Sequence, residues 1–263
     1  MKYIILLLLI YIGFRVNLYT GIIVSVLLAS YVFYDKLPAI YAIKGNKAYN
    51  SNDFKEASRY YEKAIATGRA SAKVGITYIL MLMRAGDMDN ALKLANNVIA
   101  NRKTTQGEKY IVKEYRALIY FKQGEKEEAL EDAKEIFESY KNTTIYGLLG
   151  YLMLACDEPI EETMEFCKEA YDYNSDDRDI VDNLVLAHYK TGDYKAAEEL
   201  AQELLEMSPK FVEAHYHRAL IKNAMGDKKG ALAQLENIDE CIRTALTTVS
   251  EEEIENLKKQ LQE

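Results

Sequence analysis

The chain has 263 residues, with 33 basic against 41 acidic side chains and a net charge of −8. That balance argues against a nucleic-acid binder, whose phosphate contacts need an excess of Lys and Arg. Cys156, Cys167 and Cys241 are odd in number and have no C-x-x-C spacing. They read as small buried residues in a reducing compartment, not as a disulfide framework.

Residues 3–14 form an apolar run, and residues 16–34 form a second run without a charge. As a helix the second would span ~28 Å, close to the hydrocarbon thickness of a bilayer. Arg15 and Asn17 separate the two runs, and no small-x-small cleavage site follows Gly13. Residues 1–37 are therefore expected to be an uncleaved membrane anchor, with residues 3–34 in contact with lipid, as one helix or a tight hairpin. Lys2, Lys36, Lys44 and Lys47 flank this segment. Basic residues near membrane helices stay inside, which predicts an integral membrane protein whose remaining domain is cytoplasmic. That remaining domain, 38–263, carries 30 basic and 40 acidic residues, a net charge of −10.

From residue 38 onward a period takes over. Ala57, Ala91, Ala129, Ala197 and Ala231 each follow a turn, at gaps of 34, 38, 68 and 34 residues. A fixed period of 34 means stacked helix-turn-helix units. Aligned on that alanine, units start near residues 38, 72, 110, 144, 178 and 212. The first places Tyr41, Gly45, Ala57, Tyr61 and Ala64 at positions 4, 8, 20, 24 and 27. Later turns read Gly86-Asp87, Gly124, Gly192-Asp193 and Gly226-Asp227. The fourth unit departs, with Glu158-Pro159 in its turn and Thr163 at position 20, while Ala170 keeps its register. Four extra residues, 106–109, predict a longer edge loop between the second and third units. Ser250 and Glu253 read as a capping box opening a helix over 250–262, with Ile254, Leu257 and Leu261 on one face. Residues 241–263 are thus expected to cap the open apolar end of the array at 38–240.

These positions resemble the tetratricopeptide repeat, over residues 38 to about 240. The resemblance implies an all-α, right-handed solenoid of about six repeats, with an N-terminal transmembrane segment and a C-terminal capping helix. It also implies a concave face built by the first helix of each repeat, at positions 2, 5, 6, 9, 12 and 13. Position 9 is Leu80, Leu118, Leu152, Leu186 and Leu220 in repeats two to six. Met83, Tyr115, Phe121, Leu148, Leu149, Tyr189 and Tyr216 lie nearby. Such a stripe suits an amphipathic helix or an extended apolar peptide. Lys44-Gly45-Asn46 resembles part of the carboxylate clamp of some repeat proteins. Ala42, Thr77, Ile111 and Tyr115 stand at the other clamp positions, so that function does not carry over.

No catalytic constellation is expected, nor any cofactor. His215 and His217 are two apart, and on a helix they point to different faces. Residues 175–179 lack the Gly and distal Glu of a calcium loop, so no metal site is expected. The sequence thus predicts a non-enzymatic scaffold that holds protein partners at a membrane, similar to anchored repeat proteins of bacterial envelope assembly. A self-assembling structural protein and a non-catalytic subunit of a membrane enzyme complex remain alternatives; the oligomeric state is not legible.

Overall fold

The computed structural model describes residues 2–243, 245 and 247–262. Among these, every regular element is helical. The chain forms two compact units, with the boundary after Tyr78.

The first unit holds α1 (Lys2–Val16), α2 (Leu18–Asn50), α3 (Phe54–Ala66) and the opening turns of α4 (Ala72–Arg84). Asn17 breaks the apolar stretch in two. Its backbone is extended at φ −168°, and its side chain accepts a hydrogen bond from the Thr20 N–H at 2.8 Å, capping α2. The hairpin so formed closes on glycine. A β-carbon at Gly13 would sit 3.3 Å from Gly21 Cα, and one at Gly21 would collide with the Phe14 ring. Ile4, Leu7, Tyr11, Leu27 and Phe33 all remain exposed on the outside of the pair.

The sequence starts the first repeat at Pro38, but α2 does not stop there. It runs unbroken from Leu18 to Asn50 with Pro38 buried inside it. A proline withholds one intrahelical donor yet its fixed φ is helical, so the rod continues past it. The apolar stretch and the first helix of repeat one are therefore one element. Against it pack Ala57, Tyr61 and Ala64 of α3, all buried. Gly45 lies 3.3 Å under the Tyr61 ring, measured from where its β-carbon would be.

The second unit continues through α5 (Met88–Ala100), α6 (Gln106–Gln123), α7 (Lys126–Ser139), α8 (Thr143–Ala155), α9 (Ile160–Tyr173), α10 (Arg178–Lys190), α11 (Tyr194–Glu206), α12 (Val212–Ala224), α13 (Lys228–Asn237) and α14 (Glu251–Gln262). Gly86, Gly124, Gly192 and Gly226 have φ of 79°, 85°, 81° and 82°, the left-handed turn an L-residue avoids. Asp87, Asp193 and Asp227 follow three of these and accept hydrogen bonds from the N–H three residues on. Residues 106–109 are not an edge loop. Thr105 and Glu108 form a full capping box, and the extra residues lengthen α6 by a turn at its start. Pro159 stands just before α9, not within its first turn.

The alanines that set the period, Ala57, Ala91, Ala129, Ala197 and Ala231, all have zero accessible surface. At the capped end, α14 buries Ile254, Leu257 and Leu261 against Val212, Ala219 and Leu235. Ser250 and Glu253 cap it reciprocally, at 3.2 and 2.7 Å.

Thr163 fills the alanine position of the fourth repeat. It too is fully buried, and among the described residues its hydroxyl has no hydrogen-bond partner. An unsatisfied buried hydroxyl costs free energy that an isosteric apolar group does not. Thr163→Val is therefore expected to stabilise the protein by about 1 kcal/mol. Thermal unfolding followed by circular dichroism checks this, and a lowered midpoint would contradict it.

Candidate functional site

The opening helices of successive repeats, α6, α8, α10 and α12, share one concavity in the second unit. It holds a partly open cavity of about 390 Å³. Tyr115 and Leu118 of α6, Leu148 and Tyr151 of α8, and Phe211 before α12 form apolar walls. The chain after α13 supplies another wall. Ile242 N–H donates to the Lys210 carbonyl at 2.9 Å. Ala245 Cβ lies 3.8 Å from where a β-carbon on Gly86 would sit. Lys122 Nζ donates to the Thr247 carbonyl at 2.5 Å, and Thr248 donates through N–H and hydroxyl to Glu213 Oε1 at 2.6 and 2.8 Å. Val249 then enters the core beneath α14. Ile242, Arg243, Ala245, Thr247 and Thr248 thus lie along a strap across the concavity.

The sequence-predicted stripe divides on contact with this geometry. Tyr115, Leu118 and Leu148 line the cavity. Phe121 instead packs edge-on against Tyr151, with ring centroids 5.4 Å apart. Leu152 and Met83 have zero accessible surface, and Leu149 has 3 %. Leu152 sits in the core with Ala129 and Ile136, so neither it nor Met83 offers a face to a ligand. Leu186 packs on Leu154 and Cys167, Tyr189 on Val185 and Ala201, and Tyr216 and Leu220 on the α12–α14 core. These four are half-buried. Leu80 is half-buried as well and lies outside the cavity lining.

The remaining lining is acidic: Glu114, Asp179, Asp182 and Glu213. Apolar scanning passes over these residues, although they occupy positions 5 and 2 of their repeats, the same positions that place side chains on the inner face. Asp182 is buried and held, with both oxygens 3.0 Å from His217 Nδ1. Burial alone would lower the imidazole pKa, but Asp182 outweighs it and the net shift is upward. Beside Asp182, Asn183 donates to the Gly147 carbonyl at 2.8 Å and ties α10 to α8. Asp179 stays open to water at the rim. Loss of surrounding solvent within the concavity, together with Asp177, Asp182 and Glu213, pushes its carboxyl up to about 6.

Glu114 differs from the others. The residue is only 8 % exposed, and among the described residues it forms no hydrogen bond or ion pair. Burial raises its pKa with no cation to oppose it. His215 faces Gln234 at 3.2 Å, and among the described residues no three acidic, His or Cys side chains converge as metal ligands. Cys167 is buried, its thiol pushed up to about 12 by desolvation, and Cys156 and Cys241 are half-buried.

Residues 80–140 and 183–239 match the family described as tetratricopeptide repeat. A tetratricopeptide repeat protein from Parabacteroides merdae is similar in structure, with 16 % identity and a TM-score of 0.63 over 87 % of this chain and 100 % of that one. PilF of Pseudomonas aeruginosa gives 13 % and 0.62, over 87 % and 98 %. A chain of the APC/C hetero-tetramer Cut9–Hcn1 gives 16 % and 0.67, over 91 % of this chain and 46 % of that one. At such identities the likeness is one of fold. No curated protein matches the sequence.

Glu114 carries a pH prediction. Its folded pKa lies above the ordinary value of 4.5, so the fold favours the protonated acid. That contribution is fully present below pH 4.5 and is lost as pH rises through the folded value. Glu114→Gln should therefore melt higher than wild type at about pH 7.5, and the gap should close by about pH 4. Melting curves across that range check it, and a pH-independent difference would refute it.

Proposed function

We propose that the protein is a membrane-held scaffold that takes a partner polypeptide in the cavity between α6, α8, α10 and α12, a reading supported by the match of residues 80–140 and 183–239 to the tetratricopeptide repeat and by the all-α solenoid fold. The observation that carries this is the cavity itself. It combines apolar walls at Tyr115, Leu118 and Leu148 with polar groups on α10 and α12, as recognition of a peptide segment requires. The Cut9–Hcn1 chain, which shares the fold, is part of a hetero-tetramer. Repeat proteins of this kind are generally non-catalytic, and the proposed role needs no chemistry from the chain.

The α1–α2 hairpin supports the anchor. The helix Leu18–Asn50 contains a stretch long and apolar enough to cross a bilayer, and only 6 % of that stretch is buried within the protein. Most of that apolar surface faces outward, and lipid would cover it. Lys36, Lys44 and Lys47 beyond the apolar stretch, and three free thiols, favour the repeats facing the cytoplasm. On this reading the anchor is 1–37, the repeats span 38–240 and the cap is 241–263. The occupant of the cavity, as an apolar peptide or helix, and a part in envelope assembly belong to the same proposal.

Two measurements test it. Full-length protein should resist high-salt extraction from membranes, and release by salt alone would remove the anchor. A photo-crosslinking residue at Tyr115 should yield a discrete polypeptide adduct in intact membranes, and one at Glu131 on the outer surface should not. Equal adducts from both positions, or none from Tyr115, would end the cavity reading.

A further inference from the structure

Resting on that reading of the cavity as the partner site, we propose that it selects a cationic side chain, arginine in preference to lysine, flanked by apolar residues of the partner. The apolar segment that occupies the cavity thus also carries a basic residue.

Four carboxylates line one cavity of about 390 Å³: Glu114, Asp179, Asp182 and Glu213. Their partners inside the protein are unequal. Asp182 has His217 at 3.0 Å. Glu213 accepts two hydrogen bonds from Thr248. Glu114 has neither, although it is more than nine-tenths buried and lines the cavity. Its carboxylate therefore faces the water of the cavity, partly desolvated and without a neutralising charge, where a ligand cation could meet it. The cations nearby are occupied. Lys122 donates to the Thr247 carbonyl, and Arg243 of the strap is held by Glu251.

The walls narrow the choice of cation. The described residues offer no convergent three-ligand set for a metal ion. Tyr115 and Tyr151 instead present aromatic surface beside Leu118 and Leu148. A guanidinium can stack on a ring while donating to a carboxylate, and its methylene stem covers leucine. An ammonium satisfies the charge but stacks less well, which sets the order of preference.

The experiment titrates full-length protein in detergent micelles with two peptide amides, acetyl-Leu-Arg-Leu and its citrulline counterpart, by calorimetry. Citrulline keeps the shape of arginine and removes the charge. The arginine peptide is expected to bind at least about tenfold more tightly. Glu114→Gln should erase that advantage and leave citrulline binding unchanged. Asp179→Asn, at the rim and less demanding of the fold, should reduce the advantage in part. Leu118→Ala should weaken both peptides alike. Equal binding of the two peptides by wild type overturns the cation site but leaves the partner cavity standing. An advantage that survives Glu114→Gln overturns it too. So does a failure of the arginine peptide to bind at about millimolar concentration, and the Tyr115 crosslink then decides the cavity separately.

Discussion

The close approach of paired helices at the alanine position governs the rest of this structure. Ala57, Ala91, Ala129, Ala197 and Ala231 lie where two helices touch, and none retains accessible surface. A larger side chain there would push the pair apart, and interiors packed at crystal density tolerate such intrusion poorly. The contact fixes the distance within each pair. The left-handed glycine and the aspartate cap fix its turn. Repetition of those two local rules places the opening helices of consecutive repeats side by side along one face. The fourth repeat shows the tolerance of the scheme. Thr163 enters the contact at the cost of an unpaired hydroxyl, and Asp157 with φ 57° takes the role of the turn glycine.

Once spacing is settled by small residues, the inner face is free to carry polar groups the packing does not need. Asp182, Asn183 and His217 show how such groups become structural. Each is buried, and each bridges neighbouring repeats through a hydrogen bond of 2.8 to 3.0 Å. Glu114 shows the opposite case. The same position on α6 carries a carboxylate that no neighbour satisfies. A packing rationale covers Asp182, because removing one member of a buried pair strands the other. It does not cover Glu114, whose removal strands nothing within the chain.

The sequence is most legible where one physical cause acts on one residue. The period, the turn glycines and the capping box at Ser250 and Glu253 are local. Each follows from sterics or from an orphan backbone donor, and the structure contains them all. The insertion at 106–109 was legible in length but not in shape, since Thr105 and Glu108 make it helical by capping. The inner face was legible only as a set of positions. Whether Leu118 faces a cavity or Leu152 faces the core depends on the packing of adjacent repeats, which no single repeat encodes. Hydrophobicity was also the wrong filter there. It selected Met83 and Leu152, which are buried, and passed over Glu114, Asp179 and Glu213, which line the cavity.

The strap that carries Ile242, Thr247 and Thr248 was invisible for a different reason. Its order comes from long-range backbone pairing, with the Lys210 carbonyl, Lys122 and Glu213 as partners, and none leaves a periodic trace. It nevertheless alters what the concavity can accept. An open solenoid face admits a long helix lying across many repeats. Here Ile242, Thr247 and Thr248 occupy part of that path and narrow it to a partly open cavity. A cavity of this size suits one or two side chains better than a helix face. On the reading proposed above, recognition would depend less on total apolar area and more on the polar groups that line the cavity, Glu114 among them.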